Sequence, residues 1–187
     1  MPPPTDKRAA LLQAALELFA ENGFTGSPTA LIAKRAGVAS GTLFLYFKCK
    51  EDLIRELFRE VRGRVAAIAF ENLATELPLR ERFLQVFARI LQFALENPQE
   101  FKFMEQYHFS PFCDPDCGAA TENEAVRDLL LEARKAGSIK DLPLPVLKVI
   151  AFGPLSAAAK EHATHGLPVD GAMAGQIVQA CWDALKR

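Results

Sequence analysis

The chain has no apolar run of about 18 residues, the length a membrane-crossing helix needs, so no membrane partner is expected. Its first residues, MPPPTDKR, lack the apolar stretch of a secretion signal, and export is not expected either. Cysteine is sparse and scattered, with four in 187 residues. That excludes a disulfide framework and points to a reduced, cytoplasmic protein. Convincing period-two alternation is missing, and with it any signal for strands or hairpins. No phosphate-cradling Gly-rich loop and no dinucleotide fingerprint occurs, and no nucleophile, base and orienting acid stand at a telling spacing. Neither an enzyme nor a cofactor is therefore expected. There is no internal repeat, and no low-complexity segment beyond the short proline tract at the start.

What the chain has is helical periodicity and enough apolar residues, half of the total, to bury one large domain or two small ones. Thr5 caps a first helix with Ala9, Leu12, Leu16 and Phe19 on one face, and Asn22-Gly23 stops it. Ser27 and Pro28 read as the start of a second helix, with Ser as cap and Pro at the first position. Leu31, Ile32 and Ala36 form its apolar face, and Gly37 ends it. Val38 tucks between helices. A third, short helix covers Ser40 to Phe47, with Leu43 and Phe47 inward and Gly41, Thr42, Leu45 and Tyr46 outward. A long helix then runs from about Lys50 into the seventies. Pro78 opens the next, which Asn97-Pro98 breaks, and another heads toward Tyr107. Ser110–Gly118 reads as a loop. Helices follow over about 119–136, 143–165 and 171–186. The fold class is all-α, with about nine helices.

Two short helices around a glycine turn, followed by basic residues, are how a chain presents a rod to a DNA groove. The stretch Ala14–Phe24 (AALELFAENGF), the helix LIAKRAG, the run GTLFLYF and the opening KCKEDL together resemble the DNA-binding domain of the TetR family of transcriptional regulators, from about Leu11 to Leu57. The resemblance implies a helix-turn-helix domain over residues 1–49 and a helical effector-binding and dimerisation domain over 50–187. It also implies that Ser27, Tyr46 and Lys50 contact phosphates, with Lys48 as a further phosphate partner. Ser40, Thr42 and Leu45 are the candidates for base edges, and Gly41 lets the rod approach the groove. Leu43, Phe44 and Phe47 should hold the rod in place, Phe44 with its ring edge toward the DNA backbone.

This sequence departs from the family pattern in four places. Ala39 stands where Ser or Thr usually caps the reading helix, which leaves Ser40 to take over with a shifted start. Phe44 and Leu45 replace the common Tyr and polar residue, so apolar contact with thymine methyls should count for more. Cys49 stands where the following helix usually has a cap. Charge is divided: the first 50 residues carry +3 and the remainder −4, which places the basic charge where phosphates would sit.

The last two helices have broad apolar faces. Phe152, Leu155, Ala159, Ile177, Cys181 and Trp182 suit a bundle with a second copy, and the resemblance implies a homodimer there. Pattern alone equally allows them to close the monomer core. A palindromic double-stranded operator, read by two rods about one duplex turn apart, favours the dimer. An aromatic cluster that includes Phe83, Phe87, Phe103, Tyr107 and Phe112, with His108 beside it, makes either a core or an apolar pocket. The resemblance implies a pocket for a small apolar or aromatic effector, with a polar group of the ligand met by Tyr107, His108 or His162.

Three sharper ideas stand beside plainer ones. Cys113 and Cys117, with Asp114, Asp116 and His108, read as a metal or redox pair or as a surface loop with two thiols. Cys49 between two lysines reads as a redox switch or as an inert cap substitute. His162 and His165 read as metal ligands or as favourable charge at a helix end. The combined expectation is a ligand-responsive regulator, a repressor released from its operator. The alternatives are a regulator without effector, a redox- or metal-sensing regulator, and a small helical enzyme.

Overall fold

The computed structural model describes residues 4–113 and 124–187, and among these the chain forms nine α-helices. They are α1 (Pro4–Asn22), α2 (Thr29–Arg35), α3 (Ser40–Tyr46), α4 (Lys50–Phe70), α5 (Leu79–Glu96), α6 (Pro98–His108), α7 (Glu124–Lys135), α8 (Leu144–His165) and α9 (Gly171–Leu185). The described residues contain no strand, only an isolated bridge between Ile139 and Lys186. None of the helices is long and apolar enough to cross a membrane. The chain divides into two compact units. One runs to Arg62 and takes in the segment from Gln99; the other runs from Gly63 to Pro98 and resumes with the C-terminal helices. The continuous helix α4 begins in the first and ends in the second.

In the first unit α1 is the central rod. Leu11, Leu12, Ala14, Ala15, Leu16, Leu18 and Phe19 are all buried, so more than one face is covered. Ala9 lies outside that core and is exposed. Gly23 ends the helix with φ +70°, a left-handed turn that glycine adopts without a Cβ penalty. Rings then lock the unit. Phe19 meets Phe24 edge-on at 5.1 Å and stacks on Phe103 at 6.1 Å. Phe58 of α4 stacks on Tyr107 of α6 at 3.9 Å. Each such buried ring contributes on the order of 2 kcal/mol. Arg8 pairs with Glu56 and Glu60, and its guanidinium lies over Phe47, tying α1 to α4 and the end of α3.

In the second unit α5, α8 and α9 pack face to face. Phe83 stacks on Phe87 at 3.9 Å, with Trp182 at 5.2 Å from Phe83 and Phe152 at 4.9 Å from Phe87. Arg82 of α5 pairs with Glu132 of α7 at 2.9 Å. Arg89 donates to the carbonyls of Ala69 and Glu71, satisfying groups left open where α4 ends. Pro143 precedes α8 and Gly166, at φ +69°, closes it. Pro154 removes one ladder bond inside α8 without ending the helix. Asp170 caps α9 by accepting from the Met173 N–H at 2.8 Å. The expected start of the helix near Ala119 lies outside the described residues.

Candidate nucleic-acid interface

The helix-turn-helix is built as its residues dictate, with local corrections. Ser27 does not cap α2; Pro28 occupies that place, and no side chain caps the helix. Leu31, expected inward, is exposed, while Ile32 and Ala33 form the buried face. At α3 the cap position is Ala39, extended at φ −64° and ψ 145°, and Ser40 is the first helical residue rather than a substitute cap. The turn closes through Gly37, at φ +69°, and through the Val38 N–H, which donates to Ala33.

The short helix α3 has one inward edge. Leu43 is fully buried, and Phe47, just past the helix end, is nearly so. Phe44 was expected to hold the rod and does not, being 53% exposed. Leu45 is 82% exposed, and Ser40 and Gly41 are also exposed. Thr42 and Tyr46 are half-buried, with the Tyr46 ring 6.5 Å from that of Phe47. Lys48 is exposed, and its backbone N–H donates to Asp52 at 3.1 Å, which fixes the link into α4. Gly41 has no positive φ, and a Cβ added there would meet no protein atom within 4 Å. Neither backbone geometry nor packing inside the protein requires a glycine at this position.

Two expected phosphate contacts are engaged elsewhere. Ser27 is completely buried, and its hydroxyl donates toward the carbonyls of Leu18 at 2.9 Å and Gly23 at 2.8 Å. Its side chain ties the end of α1 to the turn and has no surface to offer a phosphate. Lys50 is half-buried; its ammonium donates to the Phe24 carbonyl and lies 6.0 Å from the Phe19 ring centre. Burial pushes its pKa below the ordinary lysine value. One of its three N–H donors is taken, so a phosphate contact would use the other two.

The basic charge of the domain is also partly answered from within. Arg35 bridges Glu17 at 3.4 Å and Glu21 at 3.2 Å. The Arg35 guanidinium in turn holds the Glu21 carboxyl below the usual range. Lys34 in α2 and Lys48 just past the end of α3 stay exposed.

The expected effector residues fall in different units. Phe83 and Phe87 are buried in the second, in the stack with Trp182 and Phe152. Phe103 and Tyr107 are buried in the first, against Phe19 and Phe58. Phe112 lies edge-on to Phe24 at 5.5 Å, and His108, exposed, edge-on to Phe58 at 5.6 Å, both in the first unit. His162 is half-buried and its Nδ1 meets the Leu167 carbonyl at 2.8 Å, while His165 pairs with Glu161.

The expected dimer residues require a correction. Leu155, Ala159, Cys181 and Trp182 are buried within the single chain, and Phe152 packs on Phe87. Those four form the seam between α8, α9 and α5, not a surface left for a second copy, while Phe152 and Ile177 are half-buried. Burial also pushes the Cys181 thiol pKa up, as for an inert core thiol. The apolar residues that α8 leaves outward are others: Val146, Val149 at 74% exposure, Gly153 and Ala157. The reason they were missed is that α8 is apolar on nearly every face, so spacing alone does not say which stripe is inside.

Among the described residues, no group of three or more His, Cys, Asp or Glu is placed to hold a metal ion. Cys113 is half-buried; Asp114, Asp116 and Cys117 lie outside the described residues. Cys49 is exposed just before α4, and contact with its thiol helps hold Glu51 below the usual carboxylate range, after the larger effect of the backbone N–H at the helix start.

Comparison with known proteins adds to this geometry. Residues 11–57 match the family described as "Bacterial regulatory proteins, tetR family", and residues 78–186 match "Tetracyclin repressor-like, C-terminal domain". The fatty acid metabolism regulator protein of Bacillus subtilis is 39% identical over 83 residues, which span 44% of this chain and 43% of that one. The HTH-type transcriptional repressor AcnR of Corynebacterium glutamicum is 27% identical over 88% of each chain. The crystal structure of a TetR family transcription regulator from Marinobacter aquaeolei VT8 superimposes with a TM-score of 0.88 at 26% identity, covering 98% of this chain and 97% of that one.

Proposed function

The chain belongs to the TetR family of DNA-binding transcriptional regulators, and on that premise we propose that it is a repressor, released from a palindromic operator by a small apolar effector. One observation carries the DNA reading: α3 turns Leu43 inward and leaves Ser40, Gly41, Phe44 and Leu45 outward, beside the exposed Lys48. A rod of this width, held at one edge and open along the other, fits a major groove about 12 Å across. Lys34 and Lys48 would meet phosphates, which makes affinity fall steeply with salt. Functionally we assign residues 1–49 to DNA reading and 50–187 to control.

The protein would act as a homodimer whose second copy covers the outward stripe Val146, Val149, Gly153 and Ala157 of α8. Two reading heads then engage two half-sites. The effector would lodge in the helical layer around Phe83, Phe87 and Phe152, where ring faces suit an acyl chain or an aromatic ring. The name of the Bacillus subtilis relative makes long acyl chains the first compounds to try. A ligand that prefers the dimer shape unfit for DNA would shift the equilibrium and release the operator.

Selection of genomic fragments by the purified protein tests the first part. Recovery of a palindrome, bound more weakly as salt rises, is expected. Failure to retain any duplex at low salt would overturn it. A melt against a panel of fatty acids, acyl thioesters and aromatic acids tests the second. A true effector raises the melting temperature and lowers operator affinity together; a panel with no such compound would favour a regulator without effector.

A further inference from the structure

We propose that Leu45 is a specificity residue, reading a thymine in each half-site through its 5-methyl group; this rests on the DNA-binding reading of α3. The residues of α3 are Ser, Gly, Thr, Leu, Phe, Leu and Tyr. None of them carries the guanidinium, amide or carboxylate that recognises a base edge with paired hydrogen bonds. The hydroxyls of Ser40, Thr42 and Tyr46 can each make single bonds, and they accept or donate to several bases alike. The large side chains that α3 leaves outward are hydrocarbon. Leu45 is 82% exposed and Phe44 53%, although Leu43 and Phe47 close by are buried. Only thymine offers a methyl in the major groove, so an apolar side chain there discriminates for thymine.

Gly41 supplies the second observation. It lies one turn before Leu45, on the same edge of the rod. No contact or backbone angle of the protein requires glycine there, since a Cβ would meet nothing within 4 Å. A missing side chain at that point lets the backbone come down toward the bases, and Leu45, whose side chain is short, needs that approach to reach a methyl.

The test uses the full-length protein and the duplex recovered by selection. Each thymine is replaced in turn by deoxyuridine, which removes the methyl and leaves every hydrogen-bonding group in place. One position per half-site should weaken binding about four-fold, the worth of burying one methyl-sized group, and both together about fifteen-fold. The Leu45→Ala variant should bind the thymine and uracil forms of that position equally, with its melting temperature unchanged because the side chain makes no core. Leu45→Gln, polar and of similar length, should lose the same discrimination. If every uracil duplex binds like its parent, or if the variants still prefer thymine by the parental factor, Leu45 does not read a methyl, although DNA binding stands. If the protein retains no duplex at all, the reading of α3 falls with it.

Discussion

Replacing Gly41 by Ala adds one methyl group to α3 and should move stability and DNA affinity in opposite directions. Inside the protein the change is free of obstruction, because an ideal Cβ meets no heavy atom within 4 Å and the residue is helical with no positive φ. Alanine loses less backbone entropy on folding, so the helix gains about 0.5–1 kcal/mol. For a chain of this size that raises the melting temperature by about 1–4 °C. Against DNA the methyl occupies the side of the rod that must approach the groove floor. Forcing one extra methyl into a packed contact costs about 1–3 kcal/mol, a weakening of roughly five- to 150-fold. Both quantities come from one protein preparation: a thermal melt without DNA, and an anisotropy titration of the selected operator at two salt concentrations. The salt slope should be unchanged, since no phosphate contact is touched. A variant that is more stable and binds equally well would refute the claim that α3 comes close to the bases at Gly41. A less stable variant would show that Gly41 serves the fold itself.

Four other changes separate structural from functional roles. Ser27→Ala removes a buried hydroxyl that bonds two carbonyls, so it should cost about 1 kcal/mol of stability and leave operator affinity at fixed salt alone; a several-fold loss of affinity in the folded variant would restore Ser27 as a phosphate contact. Val149→Asp, on the outward stripe of α8, should convert dimer to monomer in sedimentation without unfolding the chain, whereas Trp182→Ala should cost about 3–5 kcal/mol by emptying the inner seam; a dimer unmoved by Val149→Asp would place the interface elsewhere. Glu51 titrates below the ordinary carboxylate range in the fold, chiefly because of the backbone N–H at the start of α4. The unfolded chain therefore takes up its proton first as pH falls, so the stability this carboxylate adds is complete above about pH 5. It drains as pH falls through the folded-state value, and Glu51→Gln should flatten the acid limb of a stability-against-pH curve.

The helices and their stops were legible in the chain because those signals are local. Gly23 and Gly37 end helices with positive φ, and Asn97 with Pro98 breaks α5 from α6, because a backbone rule acts on adjacent residues. The inward places of Leu43 and Phe47 follow equally from a spacing of four. Tertiary structure alone decided which of several equivalent faces is covered. Ser27 is a sound phosphate ligand by residue type, yet the packing of its turn against α1 buries it completely. Phe44 has the chemistry of a core residue and stands exposed because the neighbouring helices meet α3 along the edge of Leu43. Leu155, Ala159, Cys181 and Trp182 were as apolar as Val146 and Val149, and only the arrangement of α5, α8 and α9 turned the first set inward. Sequence specifies periodicity and stops through neighbours along the chain, but burial depends on which distant helix arrives, and a helix apolar on all sides does not encode that choice by itself.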